Sequence, residues 1–267
     1  MEWKKAKLRL AMPALIEYDN FQQNIELCRK LDLDFVEVNL NLPYCDPDRL
    51  LSFFHNNRGS MKGVRISIHL PEEIDIANYH KTIRSGFIKF IKEAIAISGE
   101  LNAPILNLHV QPGIYFTLPD RKEWVNEKYS GDFIKIFSDS LAELDECAGN
   151  SDCKICFENT RINKYALDCF REIRKYDSLY YTWDVGHDAS SGFKFSEFLA
   201  NDFSNVAHMH LHDFDGAKDH NALYSGRLDI DKYLDLAAAN DITVVVEVKS
   251  ADSLIESVKR IRERGLR

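Results

Sequence analysis

Eight times along the chain, a short apolar run of β-type residues is followed by a segment with helical spacing, and this alternation restricts the fold more than any other feature. Strand signals fall at residues 7–12, 34–39, 63–69, 104–110, 154–158, 179–184, 205–212 and 242–248. Helical patterns cover 21–31, with Asp19 as its expected cap, then 47–54, 79–98, 132–147, 163–175, 195–199, 230–240 and 253–264. Residues 111–119 read as a longer loop. Each helix can carry the chain back across the sheet, so successive strands lie parallel. A doubly wound open sheet would need a glycine-rich turn after its first strand, and Met12-Pro13-Ala14-Leu15-Ile16 is not one. The expected architecture is α/β, a single (β/α)8 barrel domain spanning residues 1–267.

Composition fits a globular protein with a large core, at 45% hydrophobic and 28% charged residues. The net charge of −8 and the lack of any loop with clustered Arg and Lys argue against nucleic acid as a partner. No apolar run is long enough to span a bilayer, so no membrane partner is expected. Met1-Glu2-Trp3-Lys4-Lys5 leads into strand-like sequence without the apolar stretch of a secretory signal, which makes the cytoplasm the expected location. Six cysteines, with one C-x-x-C pair at Cys153 and Cys156, do not form a disulfide framework or a zinc ribbon, and they read as reduced thiols. An oligomer is compatible with the sequence.

In a barrel of this type, chemistry sits at the carboxyl ends of the strands. Those ends carry Glu37 and Asn39, His69, Asn107 and His109, then Glu158 with Arg161 just beyond. They continue with Asp184 and His187, His210 and His212, and finally Glu247 and Lys249. In Val206-Ala207-His208-Met209-His210-Leu211-His212-Asp213, the period of two puts three imidazoles on one face and apolar residues on the other. Taken singly, each His is explained as a hydrogen-bonded core or rim residue. As a set they call for a wet, charged lumen.

Glu158, Asp184, His210 and Glu247 come from four successive strands, and three carboxylates with one imidazole suit a divalent metal: Mn, Mg, Co or Zn. Without a cation they would repel one another. The alternative is that Glu158 and Glu247 are salt-bridged, to Arg161 and Lys249. His69, His109, His187 and His220 form a second tier, as further ligands or as hydrogen-bond partners of substrate hydroxyls. Tyr115 or Phe116 in the 111–119 loop could form an apolar wall over the site. Arg161 and Lys249 are the candidate partners of a substrate phosphate or carboxylate.

At these residues the chain resembles the xylose-isomerase-like TIM-barrel superfamily, also called AP endonuclease family 2. Trp183-Asp184-Val185-Gly186-His187 is similar to its D-x-G-H segment, and Phe157-Glu158-Asn159-Thr160 to the E-N end of the fifth strand. His210-Leu211-His212-Asp213 resembles the H-L-H/N-D of the seventh, and Val246-Glu247-Val248 carries the glutamate of the eighth. Ile68-His69-Leu70-Pro71 resembles the H-x-P of the third. Asp219-His220, with Gly226 and Asp229, is similar to the D-x-H-x-x-x-G-x-G-x-x-D segment, with two departures. Lys218 stands where its aspartate should be, and Tyr224 replaces the first glycine.

The superfamily holds sugar and sugar-phosphate isomerases and epimerases together with endonuclease IV. The resemblance implies that Glu158, Asp184, His210 and Glu247 bind the shared metal. It implies that Glu158 and Glu247 exchange protons with substrate carbon through a metal-stabilised enediolate. His187 would then hold a substrate hydroxyl or steady developing negative charge, and His69, His109, Asn107, Arg161 and Lys249 would bind substrate. The expected activity is a metal-dependent isomerase or epimerase of a small sugar, sugar phosphate or related polyhydroxy carbonyl compound. The alternative is a zinc-dependent phosphodiesterase of the endonuclease IV type, with up to three ions that also engage His69, His109, His187, Asp219 and His220. A third class is a barrel that binds a metal or sugar without turnover.

Overall fold

A computed structural model describes residues 8–266, so Lys7, the expected start of the first strand, lies outside the described residues. Eight parallel strands close into a barrel: β1 (Arg9–Pro13), β2 (Phe35–Asn39), β3 (Arg65–His69), β4 (Ile105–His109), β7 (Lys154–Glu158), β8 (Leu179–Asp184), β9 (Val206–Leu211) and β10 (Thr243–Val246). Their order round the barrel follows the sequence, and β10 returns to β1. A short antiparallel hairpin, β5 (Tyr115–Thr117) and β6 (Lys122–Trp124), interrupts the segment expected to be loop.

The helices are α1 (Phe21–Lys30), α2 (Pro47–Asn56), α3 (Lys81–Leu101), α4 (Val125–Lys128), α5 (Ser130–Ala148), α6 (Lys164–Ile173), α7 (Val185–Ser190), α8 (Lys194–Leu199), α9 (Ile230–Ala239) and α10 (Ala251–Glu263). Side-chain caps set several starts. Asn20, not Asp19, caps α1 by accepting the Gln23 amide hydrogen, while Asp46 with Pro47 at the first position starts α2. Asn163 caps α6 and Ser250 caps α10 in the same way. No helix among the described residues is long and apolar enough to cross a membrane.

The main apolar core lies between the outer barrel wall and the helices. Fully buried Phe170 on α6 packs against Tyr181, Phe195 and Phe198, with ring centroids 5.4, 4.5 and 6.3 Å away. The lumen is different. Ala11, Phe35 and Val245 form a separate small apolar cluster, and the Arg65 guanidinium lies 4.0 Å over the Phe35 ring. Along β2 the period of two places Phe35 and Glu37 on the same side of the strand, and Glu37, Ser67, Asn107, Thr182 and His208 are all buried. A polar interior of this kind stands only where its groups are paired.

Register sets the height of the site. In parallel pairing His109 lies beside Glu158, and Asp184 beside His210. Glu247 follows directly after β10, its amide donating to the Leu211 carbonyl at 3.0 Å. The carboxyl ends of β4, β7, β8, β9 and β10 therefore present their polar side chains in one layer.

Phe170→Ala should cost about 3–5 kcal/mol, since it opens a cavity among three aromatic rings away from the lumen. Urea unfolding would show this as a lower midpoint with an unchanged slope.

Candidate active site

Glu158, Asp184, His210 and Glu247 converge: each offers one ligand-type atom, and these atoms all lie within 4.8 Å of one another. His210 Nδ1 is 3.3 Å from both Glu158 Oε2 and Glu247 Oε2. No Lys or Arg pairs with either glutamate among the described residues, so the expected alternative of bridges to Arg161 and Lys249 is corrected. Buried polar atoms are ordinarily satisfied. Here Glu158 Oε1, Asp184 Oδ2, His210 Nδ1 and Glu247 Oε2, one from each residue, have no hydrogen-bond partner. Orphaned donor atoms of this chemistry, gathered in one layer, fit a divalent cation, and the four residues could hold one.

Electrostatics support that fit. Burial pushes the Glu158 and Glu247 carboxyls up, but His210 more than offsets it and holds both well below the usual range, with His109 adding to the effect at Glu158. Burial alone would lower the His69 imidazole. Its contact with Glu158 reverses this and lifts it to about 9. The chain on its own therefore compensates the buried carboxylates with imidazolium charge.

Each cluster residue is held from behind. The Asn159 side chain clamps the backbone of Asp184, donating to its carbonyl and accepting from its amide, both at 2.8 Å. Asp184 Oδ1 also accepts the His187 amide hydrogen at 2.6 Å and so caps α7, a helix the sequence reading missed because it is one short turn around Gly186. Asn107, expected to bind substrate, is fully buried. Its amide donates to Glu158 Oε2, and its carbonyl oxygen accepts from Thr182 Oγ1 at 2.6 Å. It positions the glutamate instead.

Beneath the cluster Glu37 and His208, one expected at a strand end and one on the imidazole face, form a pair that the sequence alone did not join. His208 Nε2 is 2.9 Å from Glu37 Oε2, which also accepts from Ser67 Oγ at 3.0 Å. His210 Nε2 stands 2.8 Å from Glu37 Oε1, close but off the direction of a well-formed hydrogen bond. A carboxylate there favours the proton on Nε2, so that Nδ1 is the nitrogen that would give its lone pair to a bound cation. The available signal was a charged residue in the middle of β2, on the lumen parity of an otherwise apolar buried strand.

His69 and His109 flank Glu158, each Nε2 3.5 Å from Oε2, with His69 Nδ1 turned to the Leu70 carbonyl at 2.7 Å. On the other side, His187 Nδ1 is 3.3 Å from Asp184 Oδ2 and 3.9 Å from Glu158 Oε1. His187, His212 and His220 form a further ligand-type group. Asp219 leans towards it, with carboxylate oxygens 3.2 Å from His220 Nδ1 and 4.0 Å from His187 Nε2, although Lys218 breaks the D-x-H spacing.

His212 explains the glycine of D-x-G-H. A Cβ at Gly186 would fall 2.0 Å from its Cε1, so only glycine admits the ring. His212 Nδ1 accepts the His220 amide hydrogen at 2.7 Å, which places its own proton on Nε2, 3.2 Å from Asp184 Oδ1. The His220 ring stacks on His212 with centroids 4.0 Å apart, and His220 itself has a left-handed φ of 53°. Asp213 pins the loop by accepting three amide hydrogens, from Phe214, Gly226 and Leu228. Tyr224, in place of glycine, keeps a φ of 65°. It is secured by its hydroxyl on Asp231 at 2.7 Å and by Arg264, 3.7 Å over its ring.

Two expectations change. Tyr115 and Phe116 are exposed on the β5–β6 hairpin, where Tyr115 packs on Trp124 at 4.9 Å, and neither joins the cluster. Lys249 is exposed and is not among the residues of the cavity beside the cluster that Arg161 lines. A larger cavity of about 860 Å³ lies at the amino end of the barrel, near Pro104 and Cys153, and gathers none of these imidazoles. Burial lifts the Cys153 thiol to about 11 and that of Cys156 further, which suits unreactive packing thiols.

Gly186→Ala should expel the His212 ring and remove its contact with Asp184 Oδ1. Calorimetric titration with Mn²⁺ or Zn²⁺ is expected to show affinity about 10–100-fold weaker. Gly131→Ala, at a position with open space around it, should leave the affinity unchanged.

A family model described as xylose isomerase-like TIM barrel matches residues 25–264. Comparison with curated proteins finds no match. Among solved structures, a D-tagatose 3-epimerase-like protein is 20% identical, with 96% of each chain covered and a TM-score of 0.74. A 3-keto-D-glucoside 4-epimerase from E. coli is 16% identical over 96% of this chain and 98% of its own, with a TM-score of 0.75. An IolI protein with a bound zinc atom is 16% identical over 97% and 98%, with a TM-score of 0.70. These likenesses agree with the closed barrel, and the family match extends over nearly its whole length: the chain belongs to the xylose isomerase-like TIM-barrel family.

Proposed function

We propose that the protein is a divalent-metal-dependent isomerase or epimerase of a small polyhydroxylated carbonyl compound. The observation that carries this reading is that Glu158, Asp184, His210 and Glu247 each bring a ligand-type atom within 4.8 Å of the others, and each also keeps a buried atom without a hydrogen-bond partner. The structural likeness to a D-tagatose 3-epimerase-like protein and a 3-keto-D-glucoside 4-epimerase supports the same reaction class.

A divalent ion held by these four residues would polarise a substrate carbonyl and its adjacent hydroxyl, and so acidify the neighbouring C–H. Glu158 and Glu247 then act on carbon. They stand at the ends of β7 and β10, with β8 and β9 between them, and so reach a bound substrate from different sides of the mouth. One carboxylate removes the proton, leaving a planar enediolate, and the other returns a proton to the opposite face or the neighbouring carbon. Each glutamate has one oxygen at the shared centre and a second region of contact with imidazole: His69 and His109 at Glu158, and His220 at 3.8 Å from Glu247 Oε1. His187, at the rim, is placed to hold a substrate hydroxyl. His69 and His109, on the opposite side of Glu158, serve as further hydroxyl partners.

One observation favours a second reading. The groups His69–His109–Glu158 and His187–His212–His220 flank the central one, as would suit additional zinc ions in a phosphodiesterase of the endonuclease IV type. Against it, His212 spends Nδ1 on the His220 amide.

Proton exchange from D₂O into a panel of ketoses, with Mn²⁺, Mg²⁺, Co²⁺ or Zn²⁺ added, tests the first reading. Elemental analysis should give about one ion per chain, on the one-cation chemistry of the central cluster. Glu158→Gln and Glu247→Gln should each lower the exchange rate by about 10²–10⁴-fold. Full exchange in both variants would overturn the proton-transfer roles. About three zinc ions per chain with nicking of abasic duplex DNA would replace the first reading by the second.

A further inference from the structure

A cavity of about 560 Å³ reaches the cluster through His187, which lines it and stands 3.3 Å from Asp184 Oδ2. Its lining brings Thr160 and Arg161 from beyond β7, Ser190 and Ser191 from the end of α7, and Lys194 from the start of α8. Arg161 and Lys194 are both exposed and have no carboxylate partner among the described residues. The nearby Asp188 does not serve them. It is fully buried, and its oxygens are taken by the Phe195 amide, the Ser196 amide and hydroxyl, and Trp183 Nε1. Arg161 is steadied from the hairpin side, its guanidinium 5.1 Å over the Trp124 ring. Ser191 Oγ accepts the Ile162 amide hydrogen at 3.4 Å and so keeps its own proton to donate.

We infer that this cavity binds the phosphomonoester group of the substrate, so that the compound processed at the neighbouring cluster is a phosphorylated sugar. The inference rests on the isomerase or epimerase reading of that cluster. Two uncompensated cations in one cavity match a dianion, whereas a carboxylate would need only one. They also answer an obstacle to any anionic substrate, since the chain carries a net charge of −8 and the cluster itself is carboxylate-rich. The volume falls within the range of cavities that hold small metabolites, about 300–1,000 Å³. A phosphate held between Arg161 and Lys194 would leave the sugar to extend past His187 towards Glu158 and Glu247.

The test uses metal-free full-length protein titrated calorimetrically with inorganic phosphate, and with acetate for comparison. Phosphate should bind, acetate should bind at least about tenfold more weakly, and the Arg161→Gln/Lys194→Gln variant should lose phosphate affinity by at least about tenfold. The variant's Tm and divalent-ion content should stay at wild-type values, because both side chains are exposed and outside the cluster. No phosphate binding, binding that survives the double substitution, or acetate bound as tightly would overturn the inference. In the exchange assay, a ketose phosphate should be preferred over the same ketose, and the preference should vanish in the variant. Equal turnover of the two would sink the phosphate subsite and leave the isomerase reading standing. Phosphate binding lost in the variant, with no exchange into either compound, would retain the subsite and remove the isomerase reading.

Discussion

Carboxylates gathered in a water-poor lumen repel one another, and the whole upper half of this barrel is arranged around containing that repulsion. Imidazoles stand between the acids at every level: His208 and His210 at Glu37, His69, His109 and His210 at Glu158, and His212 and His187 at Asp184. The layering is a product of parallel register, which sets His109 against Glu158 and Asp184 against His210 before any side chain moves. The fold supplies the crowding, and the histidines make it tolerable.

Much of the remaining polar sequence serves to hold that arrangement still. Asn159 fixes the backbone of Asp184, Asn107 fixes the carboxylate of Glu158, and Asp213 collects the amides of the loop that brings in His220. None of these three faces the centre with a free atom. Their residue types resemble binding groups in the sequence, yet their work is to reduce the freedom of the residues that do face it.

The barrel, its strand ends and the four converging residues were legible because they follow from short-range rules. Alternating strand and helix signals set the topology, and the period of two assigns His208, His210 and His212 to one face. The match of Lys154–Glu158 and Leu179–Asp184 to their expected bounds reflects runs with clear turn residues on both sides. Features that depend on long-range placement were not legible. The role of Asn107 depends on Thr182, 75 residues away, and the hairpin at Tyr115–Thr117 depends on pairing with Lys122–Trp124 rather than on its own apolar pattern. Tyr224 shows the reverse case: a residue that breaks the glycine pattern keeps the glycine conformation because Asp231 and Arg264 hold its side chain.

The apolar cluster of Ala11, Phe35 and Val245, with Arg65 over the Phe35 ring, packs the lumen on the amino side of Glu37. The Ser67–Glu37–His208 triad sits next above it. Glu37 is only 2% exposed and meets His208 and His210 rather than bulk water, which ties this buried acid to the residue that faces the centre of the site.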